Sequence, residues 1–298
     1  MTVLLYFRND DESGCVIKIT MKKPEQIDAV ALLPELDKIL FELLEGLSLN
    51  DWDKQTIAPK WKVKDVAVHL LDGNLRTLSM LRDKYYSEKP DAITSYSDLI
   101  DFLNRLNADW IKATKRLSPK VIIDLLKSSG REYCDFLATL NPNDKAEFPV
   151  AWAGEQASKN WFHIAREYTE KWHHQQQIRH AIGDEKTLLE ERWYLPYLDT
   201  SIRALPHHYR HVKAKEGEVI KFTFLGNTEK SWFLHYQHGW ELMNATHQAP
   251  ISAVRIKDSD AWKIFTKGMK REEAIANSKI IGDQKLAAHI FDMIVVMA

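Results

Sequence analysis

Trp161-Phe-His-Ile-Ala-Arg-Glu-Tyr-Thr-Glu-Lys-Trp-His-His-Gln-Gln-Gln-Ile-Arg-His180 is the stretch from which the rest of the chain is read. At about 100° per residue, His163, Glu167, Glu170 and His174 follow one another at helical steps and share one face. Trp161, Ile164, Tyr168 and Trp172 gather on the opposite side. The spacing predicts a helix from about Ala157 to Ile182, with Gly183 as its left-handed cap. Glu170-x-x-x-His174 puts a carboxylate and an imidazole one turn apart, so one helix can offer two ligands to one metal ion. The same line of His and Glu is equally the pattern of a solvated face with i,i+4 pairs.

Working outward, four more helical segments precede this one. They run from Glu25 to Leu47, from just after Pro59-Lys-Trp61 to about Lys84, from Ser97 to about Leu117 and from Lys120 to Leu140. Asn141-Pro-Asn-Asp144 is a loop. Long amphipathic segments with short links predict a helical bundle. In the second of them, Val63, Val66, Ala67, Leu70, Leu71, Leu75 and Leu78 form the apolar stripe. His69 lies at its edge, and Gly73 one turn on leaves space beside it. His69 is therefore the candidate third ligand, with a plain hydrogen-bonded interface histidine as the competing reading. His173 and the group His207-His208-x-x-His211 are read as surface residues. The 207/211 pair could hold metal adventitiously.

After Gly183 the pattern changes. A helix from Leu188 to about Leu205 is followed by alternating runs at 219–225, 231–236, 240–243 and 251–256, and then by helices at 259–267, 270–276 and 284–297. This predicts an α+β half with a small antiparallel sheet under helices. Trp232, Phe233, Tyr236 and Trp240 are read as sheet core, with an apolar-ligand pocket as the alternative. The expected division is an extension at 1–20, a helical domain at 21–185 and an α+β domain at 186–298. In the extension, Val3–Phe7 and Cys15–Thr20 form either a hairpin or a mispredicted start.

Composition narrows the function. Forty-one basic against 42 acidic side chains give a net charge of −1, which excludes a broad electrostatic grip on nucleic acid or anionic lipid. Two cysteines, Cys15 and Cys134, cannot build a disulfide framework or a cysteine zinc site. No run is long enough for a membrane span, and the N-terminus lacks a secretory pattern, so a cytoplasmic protein is expected.

The motifs Leu47-Ser-Leu-Asn-Asp-Trp-Asp53, Pro59-Lys-Trp61 through His69, and Arg166-Glu167-x-x-Glu170-x-x-x-His174 resemble the mycothiol-dependent maleylpyruvate isomerase N-terminal family of the DinB-like superfamily. Asp260-Ala-Trp262 through Gly268, with Ile280-Ile-Gly282-Asp283, is similar to that family's sterol-carrier-protein-like C-terminal domain. The resemblance implies a four-helix bundle holding one divalent metal through His69, Glu170 and His174. Zn²⁺ is the first expectation, with Ni²⁺ or another transition metal behind it. It also implies a low-molecular-weight thiol as cosubstrate and a small electrophile as substrate, hence a thiol-dependent isomerase or transferase. Arg166 would anchor acids or carboxylates, Glu167 would orient a ligand or water, and Arg203 is a weaker anchor. Gln175-Gln-Gln177 departs from the family, where an Asp often follows the last histidine. A metal-binding protein without turnover and an apolar-ligand carrier are the alternatives, and monomer and homodimer are both open.

Overall fold

The computed structural model describes residues 22–86, 93–227 and 229–295. The expected hairpin or mispredicted start at 1–20 lies outside them. The helices of the first half are α1 (Leu32–Gly46), a short α2 (Leu49–Trp52), α3 (Val63–Thr77), α4 (Tyr96–Thr114), α5 (Pro119–Ala138) and α6 (Asn160–Ile182). Four of these close a ring of neighbours. α1 packs on α5, α5 on α3, α3 on α6 and α6 on α1, while α4 lies outside against α3. That is the expected four-helix bundle, with the third predicted helix excluded from its core.

Local chemistry sets the boundaries. α1 starts at Leu32 rather than Glu25, because Pro34 marks its first turn, where a missing N–H leaves no bond unmade. Leu33, Leu36, Leu40 and Leu44 then form its buried stripe, each contributing about 2 kcal/mol of burial. At the start of α3, the backbone N–H of Lys62 donates to Asp65 at 2.9 Å. α3 widens into a single π-helical turn at Leu78–Arg82 and stops there. α5 opens on Ser118, whose hydroxyl accepts from the Val121 N–H, with Pro119 in its first position.

The second half carries α7 (Glu191–Ile202), α8 (Leu205–His208), β1 (Val219–Leu225), β2 (Glu229–Tyr236), β3 (Trp240–Met243), β4 (Ser252–Lys257), α9 (Asp258–Phe265), α10 (Arg271–Asn277), β5 (Lys279–Gly282) and α11 (Gln284–Ala288). The strand order is β3-β2-β1-β4-β5. The sheet is mostly antiparallel, but β1 and β4 run parallel, with Phe222 opposite Val254. The expected small antiparallel sheet is present, with the β1–β4 pair as its parallel exception. β5, which pairs with the edge of β4, has no counterpart in the sequence reading. Its end requires Gly282: φ is +82°, and a Cβ there would fall 2.1 Å from the Ile251 carbonyl oxygen.

Apolar packing is continuous from one half to the other. Trp172 of α6 stacks on Tyr197 of α7 with ring centroids 4.0 Å apart, and stands edge-on to Trp262 of α9 at 6.5 Å. Both tryptophans are fully buried. Trp232 and Trp240 belong to the same core, in line with the sheet-core reading. No helix among the described residues is long and apolar enough to cross a membrane.

Candidate metal centre

α6 ends where the sequence predicts, with Gly183 at φ +85° donating its N–H to the His180 carbonyl. Its surroundings differ from a solvated face. Protein covers it on nearly every side, and polar side chains such as His163, Lys171, His173, His174, Gln175, Gln176, Gln177 and Arg179 are all buried. Burying polar groups is costly unless they are paired, and most of these are. Lys171 Nζ reaches both carboxylate oxygens of Asp37 at 2.7 and 3.0 Å. Gln176 donates to the Glu185 carbonyl at 2.9 Å. Arg179 pairs with Asp184 and donates to the Ile39 carbonyl at 3.1 Å.

At the centre of the helix, His174 Nδ1 sits 3.0 Å from Gln177 Oε1. An amide oxygen only accepts, so Nδ1 is the donor in this contact, and in the neutral ring that tautomer leaves the lone pair on Nε2. That Nε2 lies 3.5 Å from Glu170 Oε2. From α3, the His69 ring meets the His174 ring edge-on, with centroids 4.5 Å apart. The rings of His69 and His174, from two distant segments, therefore meet, but among the described residues the donor atoms that lie within 4.8 Å of one another are those of Glu170, His173 and His174, without His69. Trp61 covers both imidazoles, 4.7 Å from His69 and 5.8 Å from His174. Its loop is held by Gln55 and Thr56, which both donate to the Trp61 carbonyl, at 2.8 and 2.7 Å. Beside His69, the space next to Gly73 is open, as the sequence suggested.

His173 corrects the surface reading. It is 4% exposed, and among the described residues neither ring nitrogen has a hydrogen-bond partner. One donor atom each from Glu170, His173 and His174 lie within 4.8 Å of one another. No sequence signal marked it, because on the helical wheel it lies off the His–Glu line. The electrostatics favour neutral imidazoles here. Burial pushes the pKa of His69 well down, helped by neighbouring His174, Arg76 and His173. Burial and His174 do the same to His173. Neutral imidazoles beside a carboxylate suit a divalent transition metal, and the nitrogens of His173, unpartnered among the described residues, leave donors for one.

Arg166 and Glu167 lie one turn away in a separate network. Arg166 Nη2 is 2.5 Å from His163 Nδ1 and 3.2 Å from Glu167 Oε1, while Tyr133 of α5 donates to Glu167 Oε2 at 2.7 Å. Burial alone would raise the pKa of Glu167, but His163, Arg166 and Tyr133 together bring it below the usual value. Burial holds His163 down at about 4. Arg203 stands apart from both groups. It bonds Asp199 at 3.1 Å and the Glu25 carbonyl, and covers the Trp161 ring at 5.5 Å. Cys134 is buried, its thiol 3.8 Å from Asp37, and burial followed by Asp37 pushes its pKa up to about 12. A thiol so seldom ionised is a poor nucleophile.

Residues 33–179 match the family model described as the mycothiol maleylpyruvate isomerase N-terminal domain. This segment belongs to that family. The maleylpyruvate isomerase N-terminal segment runs from α1 almost to the end of α6 and contains His69, Glu170, His173, His174 and Gln177, but not Arg203. Among solved structures, the mycothiol-dependent maleylpyruvate isomerase and a histidine-to-alanine mutant of it are similar to the chain. Each is 11% identical, and each alignment covers 79% of this chain and 86% of the other, with TM-scores of 0.47 and 0.46. No curated protein matches the sequence.

Proposed function

We propose that the chain is a metal-dependent enzyme that uses a low-molecular-weight thiol to isomerise or conjugate a small electrophile, with His69, Glu170 and His174 as the metal ligands. The observation that carries this reading is the meeting of His69 with His174 at 4.5 Å between ring centroids, beside the Glu170 carboxylate. When bound, a divalent ion such as Zn²⁺ supplies a charge that makes a coordinated thiol a thiolate at neutral pH. A thiolate adds to an electron-poor double bond. The carbanion so formed can rotate about the former double bond and expel the thiolate, which gives isomerisation, or take up a proton and keep the thioether, which gives conjugation.

The chain's own residues have definite tasks in this reading. Gln177 holds His174 in the tautomer whose Nε2 can ligate. Trp61 screens the two imidazoles from water. The His163–Arg166–Glu167–Tyr133 network braces α6 against α5 one turn below the ligands, and Arg203 ties α7 to the segment before α1. The family suggests mycothiol as the thiol and maleylpyruvate as the electrophile to try first.

The test combines metal content with turnover. Purified protein is expected to carry about one equivalent of metal, lost in His69→Ala and His174→Ala, and to speed consumption of an unsaturated keto acid only when a thiol is present. Full metal retention in both variants overturns the ligand set. Metal binding without acceleration by mycothiol, glutathione or any other small thiol overturns the enzyme.

A further inference from the structure

The histidines of α6 are provided for unequally. His163 bonds Arg166, His174 bonds Gln177 and His180 bonds Glu185 through their Nδ1 atoms, whereas His173 is buried with neither nitrogen bonded among the described residues. A buried imidazole in that state has lost its water partners and gained none, which is unfavourable unless another ligand takes their place. Its neighbours indicate which ligand. A nitrogen of His173 shares a 4.8 Å group with the Glu170 carboxylate and a nitrogen of His174, and the two imidazoles stand 4.7 Å apart between centroids. Trp262 of α9 lies on the other side at 6.4 Å and offers the ring no acceptor.

We infer that His173 is a further protein donor to the ion, so that the site holds its metal through His69, Glu170, His173 and His174. The inference rests on the metal reading proposed above and goes beyond its ligand set. It has a consequence for the chemistry. Four protein donors satisfy a zinc ion's usual coordination number, so a thiol has to enter as a fifth donor or displace one of the four. His173, placed between the bundle and α9, also links the metal to the second half of the chain.

The experiment uses the full chain with Zn²⁺ and with Co²⁺ as a spectroscopic substitute. Zinc affinity is measured by competition with a chromophoric chelator for the unaltered chain, His173→Leu and His174→Ala. The inference expects His173→Leu to bind zinc at least ~10-fold more weakly, still at one equivalent, and to shift the visible absorption of the Co²⁺ form. Unchanged affinity and an unchanged Co²⁺ spectrum in His173→Leu overturn it. If His174→Ala also binds like the unaltered chain, the failure belongs to the metal reading itself. A second measurement needs no variant. In chain labelled with ¹⁵N-histidine, zinc should perturb three imidazoles; perturbation of only two overturns the inference, whether or not His173→Leu folds.

Discussion

Gln177 Oε1 lies 3.0 Å from Nδ1 of His174, three residues earlier on the same helix. This contact decides which nitrogen of His174 faces Glu170. Replacing Gln177 with Leu removes the acceptor and lets the imidazole change tautomer or turn. Zinc affinity is then expected to fall by about 10-fold or more, within the range usual for lost outer partners of ligating histidines. Gln177→Glu keeps an acceptor and should hold the affinity or raise it. Chelator competition on the two variants checks the prediction, and equal affinity in Gln177→Leu would contradict it.

Lys171 and Asp37 form an ion pair that is almost wholly buried, with the Lys171 ammonium 4.6 Å above the Tyr133 ring. Removing one partner strands the other charge. Asp37→Ala should therefore destabilise the chain by about 3–5 kcal/mol, while the double change Asp37→Leu with Lys171→Met should recover most of that loss. Urea denaturation of the single and double variants reads both numbers.

Asp258 opens α9 with one carboxylate oxygen buried and unpartnered, and burial pushes its pKa up to about 7. An acid whose folded pKa lies above its unfolded value favours folding fully only at low pH, and the advantage fades as pH rises through 4 to 7. Asp258→Asn removes that dependence. Relative to the variant, the unaltered chain should lose roughly 2 kcal/mol of stability between pH 5 and pH 8. Parallel urea titrations at the two pH values measure it; an identical loss in both proteins would reject the assignment.

Gly183 closes α6 at φ +85° with no atom crowding its α-carbon. Gly183→Ala meets only backbone strain and should cost about 1 kcal/mol in thermal or urea unfolding.

The parts of this molecule that were legible in its sequence are those governed by local periodicity and caps. The Gly183 cap and the His69 and Glu170–His174 spacings follow from helical geometry, and the bundle brings the His69 and His174 rings into contact. What was hidden depends on neighbours distant in sequence. His173 reads as exposed because a helical wheel knows only its own helix, whereas α9 supplies Trp262 to bury it. Gln177 reads as a departure from a family pattern, and its bond to His174 becomes visible only once the side chains are placed. The parallel pairing of β1 with β4 and the four-residue β5 are likewise set by tertiary contacts, since alternation fixes which side faces the core and not which strand lies alongside. Glu167 stood on the His–Glu face of α6 with Arg166 beside it, yet Tyr133 and His163 draw them into a network of their own.

The central claim is that α3 and α6 hold one cation between them. Anomalous diffraction measured on both sides of the zinc absorption edge, from crystals of the zinc-loaded chain, tests it most directly. The account predicts a single strong peak bounded by the side chains of His69, Glu170 and His174. A peak only elsewhere, such as at His207 and His211, or no peak at all, would contradict it.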